Sequence, residues 1–126
     1  MKRDNAVLNK SKAFAIRIVG LYRFLKEKER FFPLAEQTLR SGTSIGANVR
    51  EARRAQSTKD FLSKLYIALK ESDETAYWLE LLHETEYIDP KMFESLYNDC
   101  EELTKLLTAI IKTSKIGENS QANQSE

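Results

Sequence analysis

Only two prolines, Pro33 and Pro90, occur in 126 residues, and each stands where a helix can begin rather than where one would be broken. Proline has no backbone N–H and clashes with the preceding turn, so it ends one helix but is welcome in the first turn of the next. Phe31-Phe32-Pro33 therefore closes one helix and opens another, and Asp89-Pro90 does the same with a capping aspartate in front. A third boundary lies at Ser57, which can cap a new helix, with Asp60 three residues on as a short-armed version of the capping-box acid. Neither strand alternation nor an Asn-Gly hairpin signal occurs, and the four glycines are few for the length. The chain reads as one all-α domain with a single core.

Four amphipathic stretches fill the spaces between these boundaries. In residues 6 to 29, Val7, Phe14, Ile18, Leu21, Tyr22 and Leu25 form one apolar stripe. The rest of that helix is basic, with Lys10, Arg17 and Lys28 on one flank and Lys12, Arg23 and Arg30 on the other. The second helix, from Pro33 to about Gln56, puts Ile45, Val49 and Ala52 on one face with Ser41 and Gly42, small enough for a neighbouring helix to come close. Ser44, Asn48 and Glu51 border that seam at spacings of four and three, where burial would demand hydrogen-bond partners.

The third helix, Thr58 to about Glu86, carries a core stripe of Phe61, Leu65, Leu69, Ser72, Ala76 and Leu79. A second stripe of Ile67, Trp78, Leu81 and Leu82 lies on its far side. Four helices leave no layer to cover that second face from within, which predicts a subunit interface anchored by Trp78; the plainer reading is a tryptophan covering a loop or the chain termini. The fourth helix turns Met92, Phe93, Leu96, Cys100, Leu103, Leu107, Ile110 and Ile111 one way and Glu94, Asn98, Glu101, Glu102, Lys105 and Lys112 the other. Short connections imply an up-down-up-down antiparallel bundle over residues 1–116, followed by a polar tail over 117–126 that composition predicts to be disordered.

The formal net charge of +1 conceals an asymmetry: residues 1–56 carry +8 and residues 57–126 carry −7. Such halves can attract one another, can present a basic surface to a polyanion, or can be no more than solvated helix faces. Arg50, Arg53, Arg54 and Lys59, with Arg40 further up the second helix, form a candidate nucleic-acid surface, because phosphate contact needs only positive charge and reach. The competing use is ion pairing with acids of the third helix or with Glu36 and Glu51.

Groups that carry catalysis are scarce. His83 is the only histidine and falls on the apolar side of its helix, and Glu80-x-x-His83 is a single copy where di-iron bundles need two. Cys100 sits amid leucines, and no glycine-rich phosphate loop is present. The expectation is a non-enzymatic protein with no cofactor and no metal. No apolar run approaches the roughly 20 residues that span a bilayer, and the charged N-terminus lacks a signal-peptide core, so no membrane association and a cytoplasmic location are expected.

The pattern R-S-x-x-S-I-x-x-N-V-x-E-A from Arg40 to Ala52, S-x-K-D-F from Ser57 to Phe61, and KLYIALKESDETAYWLELL from Lys64 to Leu82 resemble a bacterial four-helix bundle family. Its members include proteins encoded by intervening sequences of the large-subunit ribosomal RNA gene. The likeness spans nearly all of residues 10 to 112. It departs at Ala52, often glycine in the family, and at Glu86, where a glycine commonly ends the third helix. The resemblance implies a ring of bundles, a homopentamer. It is also similar to the accessory variability protein of diversity-generating retroelements, a basic pentameric barrel that binds nucleic acid and a reverse transcriptase. The family supplies no catalytic residue, and Ser44, Asn48, Glu51 and Asp60, which match its motif, are implied to be polar groups that set fold or assembly. Self-association with RNA or another nucleic acid as ligand is thus the leading expectation, and a scaffold for a protein partner the second.

Overall fold

The computed structural model describes the backbone of residues 2–124 and the side chains of residues 5–117. It contains four helices, α1 (Lys2–Lys28), α2 (Pro33–Arg53), α3 (Thr58–Glu84) and α4 (Pro90–Gln124). Each is neighbour to the next and α4 returns to α1, whereas α1 and α3, like α2 and α4, face each other diagonally across the core. This is the antiparallel four-helix bundle that the short connections require.

The helix starts follow local chemistry. Pro33 opens α2. The Asp60 amide donates to Ser57 Oγ at 3.0 Å, capping α3, and the Met92 amide donates to Asp89 Oδ1 at 2.7 Å at the head of α4. The end of α3 is a Schellman turn: the Tyr87 amide reaches back to the Leu82 carbonyl and the Glu86 amide to that of His83. Glu86 there adopts a left-handed φ of 66°, which explains why glycine suits the position.

The interior is sealed by Phe14, Ile18, Leu25, Ile45, Leu65, Leu79, Leu103 and Leu107, all essentially without solvent exposure. Between α1 and α2 the small-residue seam is realised at Gly42, where an added Cβ would sit 2.8 Å from both Cγ atoms of Ile18. Ile18 is buried and β-branched, so it has no room to swing away. Polar pairs bind the other seams: the Ser41 and Thr75 hydroxyls lie 2.8 Å apart between α2 and α3, and those of Ser72 and Thr104 lie 2.6 Å apart between α3 and α4. The α1–α4 seam is the loosest and is spanned by ions, Lys10 to Glu102 at 2.7 Å and Arg17 to Asp99 at 2.6 Å.

Three expectations change. The buried face of α3 is Leu62, Leu65, Ala68, Ser72, Thr75, Leu79 and Leu82, so the core side is rotated by about one position from the predicted stripe. Leu82, assigned to a subunit interface, is fully buried in the bundle's own core. The cause is that α3 carries a second apolar group, Ile67, Trp78, Leu81 and Leu82, outside the main stripe, and a 3.6-residue period alone does not say which members of it turn inward. Finally, α4 continues as helix through Gln124, past the boundary drawn at 116, because nothing after Gly117 is a proline; residues 125 and 126 of that predicted tail lie outside the described residues.

Candidate functional site

Antiparallel stacking gathers the N-terminus of α1, the C-terminus of α2, the N-terminus of α3 and the C-terminus of α4 at one end of the bundle. The chain turns there over Arg54 to Ser57, held by the Ala55 amide on the Ala52 carbonyl and by Asp60 Oδ2, which accepts from the Gln56 amide at 3.4 Å. Arg50, Arg53 and Arg54 from the end of α2 and Lys59 from the start of α3 are all exposed at this end, with Lys112 of α4 exposed nearby along the chain's return. None of these five has an ion-pair partner among the described residues.

Between the helix ends lies a cleft of about 660 Å³. Val49, Phe61, Leu65 and Ile110 make its apolar wall, while Arg53 and Asn5 stand among its polar lining groups. The cleft's exposed lining is more polar than apolar, because Val49, Leu65 and Ile110 are almost wholly buried behind it, and its size falls in the roughly 300–1,000 Å³ range usual for binding pockets.

Three other basic residues are tied into the bundle, while Lys12 and Arg23 of α1, Lys70 of α3 and Lys105 of α4 are exposed with no ion pair among the described residues. Arg40 pairs with Glu71 at 3.2 Å and with Glu74, which ties α2 to α3. On α1, Lys10 and Arg17 pair with α4, and Arg17 also donates to Ser95 Oγ at 2.9 Å. The opposite charges of the two sequence halves therefore attract within one chain, and Arg50, Arg53, Arg54 and Lys59 are the unpaired cations that stand closest together in the chain.

At the other end, Glu27, Glu29, Glu84, Glu86, Asp89 and Glu94 are exposed. Two cations here are engaged, Lys26 with Glu36 at 3.2 Å and Lys28 with the Tyr87 carbonyl at 3.1 Å, while Arg30 and Lys91 are exposed without an ion pair among the described residues. Tyr22 donates to Glu36 Oε1 at 2.8 Å, and that bond, reinforced by Lys26, holds the Glu36 carboxyl below its usual range. Tyr87 donates to Glu29 at 2.7 Å and has its own pKa raised by that acceptor.

Of the residues expected to set the fold, Ser57 and Asp60 form the cap described above. Ser44 Oγ donates to the Arg40 carbonyl at 2.6 Å and Asn48 Nδ2 to the Ser44 carbonyl at 2.8 Å, so both satisfy their own helix, and Glu51 reaches Lys64 at 3.6 Å. The polar groups that cross between helices, Thr75 and Thr104, were missed in the sequence because threonine at a core position looks like any β-branched residue. His83 stacks on Phe93 with ring centroids 4.4 Å apart. Cys100 is sealed, and burial pushes its thiol up to about 11. Among the described residues no group of three or more histidine, cysteine or acidic side chains could hold a metal ion, and no helix is long and apolar enough to cross a membrane.

The outward face of α3 presents Ile67 at 40% exposure and Tyr77 at 54%. Trp78 and Leu81 are half-buried; Tyr77 leans on the indole at 5.2 Å, and the indole N–H is sealed without an acceptor among the described residues. A second apolar patch lies diagonally opposite on α1, where Ile16 is 65% exposed beside Val19 and Gly20. In the sequence this patch is hidden within a basic flank, although Ile16 and Val19 are three residues apart and off the core stripe.

A family model described as 23S rRNA-intervening sequence protein matches residues 3–109. Among solved structures the chain is similar to a protein of unknown function from the S23 ribosomal protein family of Bacteroides thetaiotaomicron. The two are 58% identical with a TM-score of 0.85, over 87% of this chain and 98% of that one. No curated protein matches.

Proposed function

Because the chain belongs to the 23S rRNA-intervening sequence protein family, we propose that it is a non-enzymatic, self-associating bundle that binds RNA in the cytoplasm through its basic end. The observation that carries this reading is the open set Arg50, Arg53, Arg54 and Lys59, without ion pairs among the described residues while Lys10, Arg17 and Arg40 are engaged. Unpaired arginines that repel one another at one end of a fold are a cost unless an anion meets them, and phosphate is the anion guanidinium fits best.

Titration of a labelled structured RNA at several salt concentrations tests this. Affinity should fall steeply with salt, with a log–log slope of roughly −2 to −3 if three or four phosphates are neutralised. No binding at low salt, or binding indifferent to salt, overturns it.

Self-association is supported by the two apolar patches on diagonal helices, Tyr77 with Ile67 on α3 and Ile16 with Val19 on α1. Different surfaces that meet head to tail generate a ring when the rotation closes, which suits the homopentamer implied by resemblance. Native mass of the wild type, Tyr77→Ala, Trp78→Ala and Ile16→Asp reads this directly. A higher-order species lost in the variants supports the ring, and a single-copy wild type removes it.

A further inference from the structure

Resting on RNA as the ligand, we propose that the cleft at the basic end receives an unpaired base from a single-stranded segment while neighbouring phosphates lie on Arg53, Arg54 and Lys59. Bare charge would need only a flat surface. Here the charged end is hollow: the cleft of about 660 Å³ opens between the four helix ends, with Arg53 itself among its lining residues. An anion held at Arg53 therefore has beside it a hollow of mixed polar and apolar lining, and the chemistry that suits both is a flat ring with polar edges attached to a phosphate.

Bases in a duplex are stacked away and cannot enter, whereas single strands splay their bases onto aromatic side chains. Phe61, half-buried in the cleft wall and fixed on the capped first turn of α3, is the ring available for that contact. Asn5, Thr58 and Ser114 offer both donors and acceptors to a base edge without forming a fixed pattern, so the preference among the four bases should be weak.

The test compares a blunt RNA duplex with a hairpin of equal phosphate number that ends in a short single-stranded overhang, by fluorescence anisotropy at one low salt concentration. The overhang should bind roughly tenfold more tightly, and abasic sites in the overhang should abolish that advantage while leaving the salt slope unchanged. The abasic arm uses wild-type protein, so folding of a variant is not at issue. Phe61→Leu, and Ala55→Phe, which fills the cleft from the turn, should also erase the difference.

Equal affinity for duplex and overhang, with abasic sites silent, overturns base insertion while RNA binding stands. Saturable micromolar binding of adenosine monophosphate alone, undiminished by adding the overhang RNA, reassigns the cleft to a free nucleotide and also overturns it. Failure of every RNA to bind at low salt brings down the proposed function itself.

Discussion

The two ends of the bundle are built from the same four helices and differ in how their charges are used. At the end where α1 passes to α2 and α3 to α4, Lys26, Lys28, Tyr22 and Tyr87 are tied to Glu36, Glu29 or a backbone carbonyl. At the end where α2 passes to α3, Arg50, Arg53, Arg54 and Lys59 have no such ties among the described residues, and a cleft opens between them. The first end closes the fold, and the second leaves positive charge facing outward. The charge is directional even though the total is +1: four cations without ion pairs among the described residues cluster at one pole, and six exposed carboxylates stand at the other.

The largest expected effect breaks this comparison outright. Replacing Arg50, Arg53 and Arg54 by Gln should weaken RNA binding about ten- to hundredfold at low salt and flatten the salt slope by roughly 0.7 for each phosphate no longer neutralised. The matched triple at the far end, Lys26, Lys28 and Arg30 to Gln, should leave affinity unchanged or slightly improved. Equal losses of affinity from the two triples in parallel titrations would show that the ends do not differ.

Next in size is the cap that holds the basic end in shape. Ser57→Ala removes the acceptor of the Asp60 amide and should cost about 1 kcal/mol, lowering the melting temperature by about 4 °C. Differential scanning calorimetry checks this, and a loss of overhang-RNA affinity beyond that of duplex would link the cap to the cleft.

Glu86→Gly at the opposite end should act in the other direction. The left-handed backbone costs a non-glycine residue about 1–2 kcal/mol, partly offset by the greater unfolded-state freedom of glycine, so a net gain of about 0.5–1 kcal/mol is expected from chemical denaturation. The smallest effect is on pH dependence. The Glu36 carboxyl is depressed below 4.5 in the folded state, so its contribution is complete above 4.5 and is lost as pH falls through the folded value. Glu36→Gln should flatten that acid limb of a melting curve series, with no change in its slope near neutrality.

Helix starts were legible because each is written in local chemistry: Pro33, Ser57 with Asp60, and Asp89-Pro90 act within one turn of themselves. The seam at Gly42 was legible for a similar reason, since only small residues let helices approach that closely. The inward face of α3 was not, because Ile67, Trp78 and Leu82 interrupt its polar side, and Leu82 is nonetheless buried in the core. Nor was the candidate site legible as a place. Arg40 looked equivalent to Arg50 and Arg54 further along the same helix, and its engagement depends on Glu71 and Glu74, more than thirty residues later. Counting charge by sequence halves missed the polarity along the axis, because an up-down chain visits both poles in each half.

Cys100 offers an outside view of all this. It is the chain's sole thiol, enclosed by the core and held in its unreactive protonated form. A thiol reagent in solution can reach it only while α3 and α4 part, so the labelling rate of the unmodified protein becomes an internal clock for breathing of the bundle. Slower labelling with RNA present would mean that a ligand seated at one extremity steadies the interior some distance away.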